Sequence, residues 1–164
     1  MHRIPPLWRA NAIVFTSSFC VMVIELIASR ILAPYIGVSL YTWTSIIGVI
    51  LAGIALGNYL GGKIADKRPS PFLLAAMFLV GGLLTIAILP AVKVVTSGNW
   101  FANLPMMLNI TLKTSVIFFL PAVILSMVSP MVIKLTLADL GQTGGTVGTI
   151  YAVSTAGAIL GTFM

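Results

Sequence analysis

The sequence predicts an all-α integral membrane protein: a bundle of about five transmembrane helices, N-terminus inside, forming one domain over residues 1–164. Three observations lead there. Of the 164 residues 59% are hydrophobic and only 7% charged, where soluble domains carry roughly 25% charged residues. The apolar residues gather in runs near 11–32, 41–62, 71–92, 106–137 and 146–164, about as long as a helix needs to be to cross roughly 30 Å of hydrocarbon at 1.5 Å per residue. The cations stand singly or in small groups at the ends of those runs.

That placement gives meaning to the net charge of +6, from nine Lys and Arg against three acids. Cations spread over run ends set topology and do not form a face for nucleic acid. Arg3, Arg9, Lys63, Lys67, Arg68 and Lys134 fall on one side, while Arg30, Lys93 and Lys113 fall on the other. The richer side is the inner one. Cys20 is the single cysteine and His2 the single histidine. The composition therefore leaves no disulfide, metal cluster or cofactor site to predict.

The first run follows Trp8 and is too long for the apolar part of a signal peptide. It also contains Glu25, so it reads as an uncleaved helix. Residues 33–39, with Pro34 and Gly37, read as a turn among Tyr35, Tyr41 and Trp43, an interfacial aromatic belt. The second run holds Gly53, Gly57 and Gly61 at intervals of four, a bare stripe where another helix can approach closely. The fifth run carries Gly157 and Gly161 at the same interval, and is the expected partner of that stripe. Gly148, Ala152 and Ala156 give it a second small-residue face, and Ser154 and Thr155 can bond to neighbours or to their own backbone.

A charged loop, residues 65–71, contains Asp66, Lys67 and Arg68, and Ser70-Pro71 supplies a cap and first turn for the third helix. Pro90 is expected to bend that helix's last turn. The fourth run contains Pro121 and Pro130 and should be kinked or broken, because proline removes a helix hydrogen bond. GQTGG, residues 141–145, reads as a turn. The last run stops at Met164 with no polar flank, and the expectation is that the 164 residues are the N-terminal part of a longer protein.

Gly57 to Ile64 approximates the phosphate-binding pattern G-x-x-x-x-G-K-[ST]. It has no preceding strand, it has isoleucine where a hydroxyl must meet Mg²⁺, and it lies at a helix C-terminus, whose dipole repels phosphate. The ionisable residues at membrane depth are Glu25, Arg30 and Lys113. A carboxylate there needs a partner or a function. Glu25 and Lys113 come to similar depths, roughly 10 Å from the outer boundary, whereas Arg30 is about 140° away from Glu25 on its own helix. The expectation is an intramembrane Glu25–Lys113 pair, with a proton or cation site as the alternative. No nucleophile, base or metal constellation is present, so catalysis by this chain is not expected.

Three stretches together carry a resemblance: Glu25-Leu-Ile-Ala-Ser-Arg30 with Pro34 and Gly37; Tyr41-Thr-Trp43 with Gly53 to Gly62 and Ala65-Asp66; and Gly148 to Ala152 with Gly157 to Gly161. They resemble the multi-pass membrane domain that precedes a spermidine-synthase-like domain in bacterial fused proteins. Gly62 to Arg68 more weakly resembles the inner loop of a major facilitator half, whose aspartate, here Asp66, contacts a neighbouring helix end and helps gate transport. The first resemblance implies a bacterial inner membrane location, and a soluble half resembling an aminopropyltransferase that acts on polyamines. That half, with its Rossmann-like glycine loop, is absent from this sequence.

Two functions follow as expectations. The chain is a membrane scaffold or anchor for a fused or partner enzyme, or an accessory subunit of a larger membrane complex. Alternatively it is a half-size transporter for a small cation or polyamine that works as a homodimer. The partners expected are the bilayer and other membrane subunits, and no nucleic acid.

The cation asymmetry yields a test. Residues 1–10, 63–70 and 138–145 should face the cytoplasm, and 33–39 and 96–105 the opposite side. With single cysteines introduced in a Cys20→Ser background, an impermeant thiol reagent added to intact cells should label residue 37 and spare residue 67. Labelling at 67 overturns this orientation.

Overall fold

The structure, a computed structural model, describes residues 7–98, 100–101, 103–137 and 143–164, and all regular structure among them is helical. Helix α1 spans Leu7–Ile36, α2 Leu40–Lys67 and α3 Pro71–Ser97. Helix α4 is a composite over Met106–Thr136, and α5 spans Thr143–Thr162. The helices α1 to α4 are long and apolar enough to cross a bilayer, which marks the chain as a membrane protein. Helix α5 is not among those four. It is 20 residues long and opens TGGTVGT, so glycine and threonine dilute its apolar content. The expected N-terminal segment before Leu7 and the inner loop at 138–142 lie outside the described residues.

The helices are longer than their apolar runs. Helix α1 continues through Pro34, where a turn was expected, and stops at Gly37. A proline in the last turn forfeits one hydrogen bond, which a helix end tolerates. The terminator is Gly37, whose φ of +82° places it in the left-handed region, with its N–H on the carbonyl of Ala33 at 3.0 Å. Ser39 then caps α2, accepting from the Thr42 N–H at 3.2 Å. Helix α2 runs on through the charged segment, so Asp66 and Lys67 belong to its last turn and not to a loop. Ser70 occupies the N-cap position of α3 without a side-chain cap bond, and Pro71 opens the first turn. Pro90 lies inside α3, which extends well past it to Ser97.

Helix α4 is the centre of the bundle. Its apolar stretch is 61% buried, against 22–39% for α1, α2 and α3. It is also the least regular helix. A π-helical turn occupies Ser115–Phe119, and Met127 interrupts the helix between Leu120–Ser126 and Val128–Thr136. Pro121 and Pro130 lie just beyond those two irregularities, as the missing proline N–H groups require. Phe118, Met131, Val128 and Val132 from α4 are essentially fully buried. They pack with Leu32 and Val14 of α1 and with Ile46 and Ile50 of α2 in two continuous apolar clusters.

The glycine stripe of α2 meets α4, and not α5 as the matching spacing suggested. A Cβ built on Gly53 would lie 2.9 Å from the Ala122 Cβ, and one on Gly61 would lie 2.7 Å from the Met127 Cα. A Cβ on Gly57 would collide with the Val123 carbonyl oxygen. Residue numbers rise together along this seam, so α2 and α4 run parallel. Gly157 and Gly161 of α5 sit on α1, against the backbone of Phe15 and Phe19, again in parallel. The second small face of α5 is not a packing surface. Gly148 has nothing within 4 Å of a built Cβ, and Ala152 and Ala156 are exposed.

This geometry sorts the glycines by consequence. Gly57→Ala or Gly57→Leu should force the α2–α4 seam apart and destabilise the protein by about 1–3 kcal/mol, as overpacking does. Gly48 has open space around a built Cβ, so Gly48→Ala should be neutral, or stabilising by up to about 1 kcal/mol. Thermal melting in detergent checks both. Equal midpoints for the two alanine variants would refute the seam.

Candidate functional site

Glu25, Lys113 and Arg30 are not brought together. No ion pair within 4.0 Å joins them; among the described residues the pair found is Lys134–Asp66. The expected Glu25–Lys113 bridge is therefore absent. Glu25 and Lys113 are each partly buried, and Arg30 is exposed. On α1 the core-facing residues are Val14, Ser17, Val21, Ile24, Ala28 and Leu32. Glu25 falls instead on the ridge of Phe15, Ser18 and Met22 that α5 covers lower down. Similar depth placed the two charges at one level, but depth carries no information about which side of the bundle each faces.

At the C-terminal ends of α2 and α4, Lys134 Nζ donates to Asp66 Oδ1 at 2.8 Å. This links the last turn of α2 to the last turn of α4, directly beyond the glycine seam. The side chains are 45% and 71% exposed, so the pair contributes little stability, about 0–1 kcal/mol. Lys67 and Arg68 are exposed beside it. Lys63 Nζ lies 4.4 Å from the Tyr59 ring centroid, and Arg9 sits over Trp8 at 5.3 Å. These cation–aromatic contacts suit helix ends at a membrane interface.

The helices also enclose a polar cleft that no single stretch of the sequence marks. A cleft of about 240 Å³ opens between α1, α2, α4 and α5. Ser17 and Ser18 line it from α1, Asn58 from α2, Ser126 and Ser129 from α4, and Tyr151, Ser154 and Thr155 from α5. Ser17 lies ten residues into α1 and Asn58 nine residues from the end of α2, roughly 14–15 Å from either helix end. Both residues fall inside the apolar runs 11–32 and 41–62, near one end of each.

Its construction follows from the break in α4. Met127 interrupts the helix, and Pro130 has no N–H to give the Ser126 carbonyl. Ser17 Oγ donates to the neighbouring Leu125 carbonyl at 2.7 Å from a buried position, so a hydroxyl of α1 occupies one of the acceptors at the break. Ser18 and Ser154 share a hydroxyl–hydroxyl bond of 2.6 Å that ties α1 to α5, and Thr155 bonds back to the Tyr151 carbonyl at 2.9 Å. No hydrogen bond among the described residues engages the hydroxyls of Ser126, Ser129 and Tyr151 or the amide of Asn58. The signal in sequence was Ala122 and Ser126, small residues four apart just before Pro130. It is weak, because serines also occur in the first, second and fifth runs.

The absent bridge makes a prediction. Glu25→Gln and Lys113→Met should have additive effects on the melting free energy, within about 0.5 kcal/mol, as unconnected sites do. A double variant that recovers part of either single loss would show that the two charges interact.

Comparison with known proteins adds no relative: no protein-family description, no curated protein and no solved structure matches this chain.

Proposed function

We propose that the chain is a scaffold or anchor domain of the bacterial inner membrane, akin to the membrane half of spermidine-synthase-like proteins. It would hold a fused or partner enzyme, or dock as an accessory subunit of a larger membrane complex. The supporting observation is the absence of any buried charged side chain among the described residues. The buried polar residues are serines and threonines, and several of them bond within their own helix, as Thr114 does to Ile110 and Thr136 to Val132. Such a core is built to stay packed. The close α2–α4 seam fits the same role, since backbones in contact leave little room for the rocking of one half against another that alternating access needs.

A second reading is favoured by the polar cleft alone. In it, two copies form a transporter for a small cation or polyamine, with the Asp66 end of α2 acting as an inner gate. Reconstitution into liposomes separates the readings. The scaffold reading expects uptake of radiolabelled spermidine, putrescine and sodium equal to that of empty vesicles. Uptake above that level, lost in Ser126→Ala, would overturn it in favour of the transporter.

A further inference from the structure

The polar cleft presents an unusual set of groups for a membrane interior. Four side chains, those of Ser126, Ser129, Asn58 and Tyr151, have no hydrogen-bond partner among the described residues. Ser126 is only 7% exposed. Asn58 and Tyr151 are exposed and Ser129 is half-buried, so these groups open onto the cleft, where a bound ligand would lower the cost of unpaired polar groups in hydrocarbon.

The chemistry of the lining limits what that is. The residues that line the cleft are rich in oxygen, with serine and threonine hydroxyls and the Asn58 amide, and they lie beside the break where Pro130 leaves the Ser126 carbonyl without its regular donor. No lysine, arginine or histidine lines the cleft to repel a positive charge. No carboxylate lines it either, so a divalent ion, which calls for carboxylate ligands, is disfavoured. Neither imidazole nor thiolate is present for a transition metal. Tyr151 adds an aromatic ring, a further favourable neighbour for a cation.

From this placement we infer that the cleft between α1, α2, α4 and α5 binds one small monovalent cation, an alkali-metal ion or a primary ammonium, through neutral oxygens. Broken helices that expose carbonyls within a span hold cations in the same manner. The inference goes beyond the scaffold reading and does not need transport, because a bound cation can serve purely to complete the α1–α4–α5 junction.

The test is thermal melting of the purified full chain in detergent at constant ionic strength. Choline chloride is replaced stepwise by sodium chloride, potassium chloride or methylammonium chloride. The expected result is a saturable rise of the midpoint with at least one of the three. For a chain of this size the rise is about 2–4 °C at roughly five times Kd. The alkali and methylammonium arms identify which source of charge is bound. Ser126→Ala and Ser129→Ala should each remove most of the rise, while Ser29→Ala, whose hydroxyl bonds to its own helix at Leu26, should keep it. Asn58→Ala, at the exposed wall, replaces the serine variants if they melt too low to titrate. Identical curves in all four salts, or a rise unchanged in the cleft variants, would overturn the inference. Vesicle uptake tests the scaffold reading separately, so failure of one does not decide the other.

Discussion

The contact between the backbones of α2 and α4 is the constraint on which the rest of the structure depends. Gly53, Gly57 and Gly61 leave α2 without side chains along one line, and α4 lies in that line with Ala122, Val123 and Met127. In a bilayer no hydrophobic drive separates helix from lipid, so association rests on dispersion contact, and backbones that touch maximise it. Once α4 is held at that distance, its irregularities become tolerable. The π-helical turn and the interruption at Met127 are flanked on one side by α2 and on another by α1, whose Ser17 hydroxyl adds a donor to the Leu125 carbonyl at the break. A break facing lipid would leave such carbonyls bare.

The same contact links packing to the candidate chemistry. The cleft exists because α4 is broken where α1, α2 and α5 converge, and its unpartnered hydroxyls belong to Ser126 and Ser129, on either side of the interruption. The small side chains that let α2 approach are therefore neighbours of the polar groups that would hold a ligand. No charged residue lines the cleft. Several stand at helix ends, where Lys134–Asp66, Lys63–Tyr59 and Arg9–Trp8 contacts suit a membrane interface.

Much of this architecture was legible in the sequence, and the failures have physical causes. Apolar run length announced the long helices, because the bilayer imposes a length on any helix that crosses it. Run ends were less informative: a helix continues into the headgroup layer, so α2 absorbs Asp66 and Lys67, and α1 passes Pro34. The glycine stripe was visible, but its partner was not. Small-residue spacing says that a face is bare, not which helix covers it, and the true partner offered Ala122 and Ser126, not a matching glycine pair. The Glu25–Lys113 pairing failed for a related reason, since depth is one coordinate and azimuth another. The cleft was least legible, because it draws single serines from several helices, and nothing along the chain marks them as neighbours.

The parallel seams also bear on how the chain is assembled. Helices that are adjacent in sequence are antiparallel hairpins and can associate as soon as both have entered the membrane. Here the two closest contacts skip that order: Gly61 of α2 sits against Met127 and Pro130, and Gly157 of α5 sits on Phe15 of α1. A ribosome must therefore deliver α3 and most of α4 before the glycine stripe has a surface to meet, and nearly the whole sequence before α1 acquires its outer neighbour. Until then the bare face of α2 lies open to lipid or to other proteins, so the insertion machinery would have to shelter α2 for the time needed to synthesise about 60 further residues.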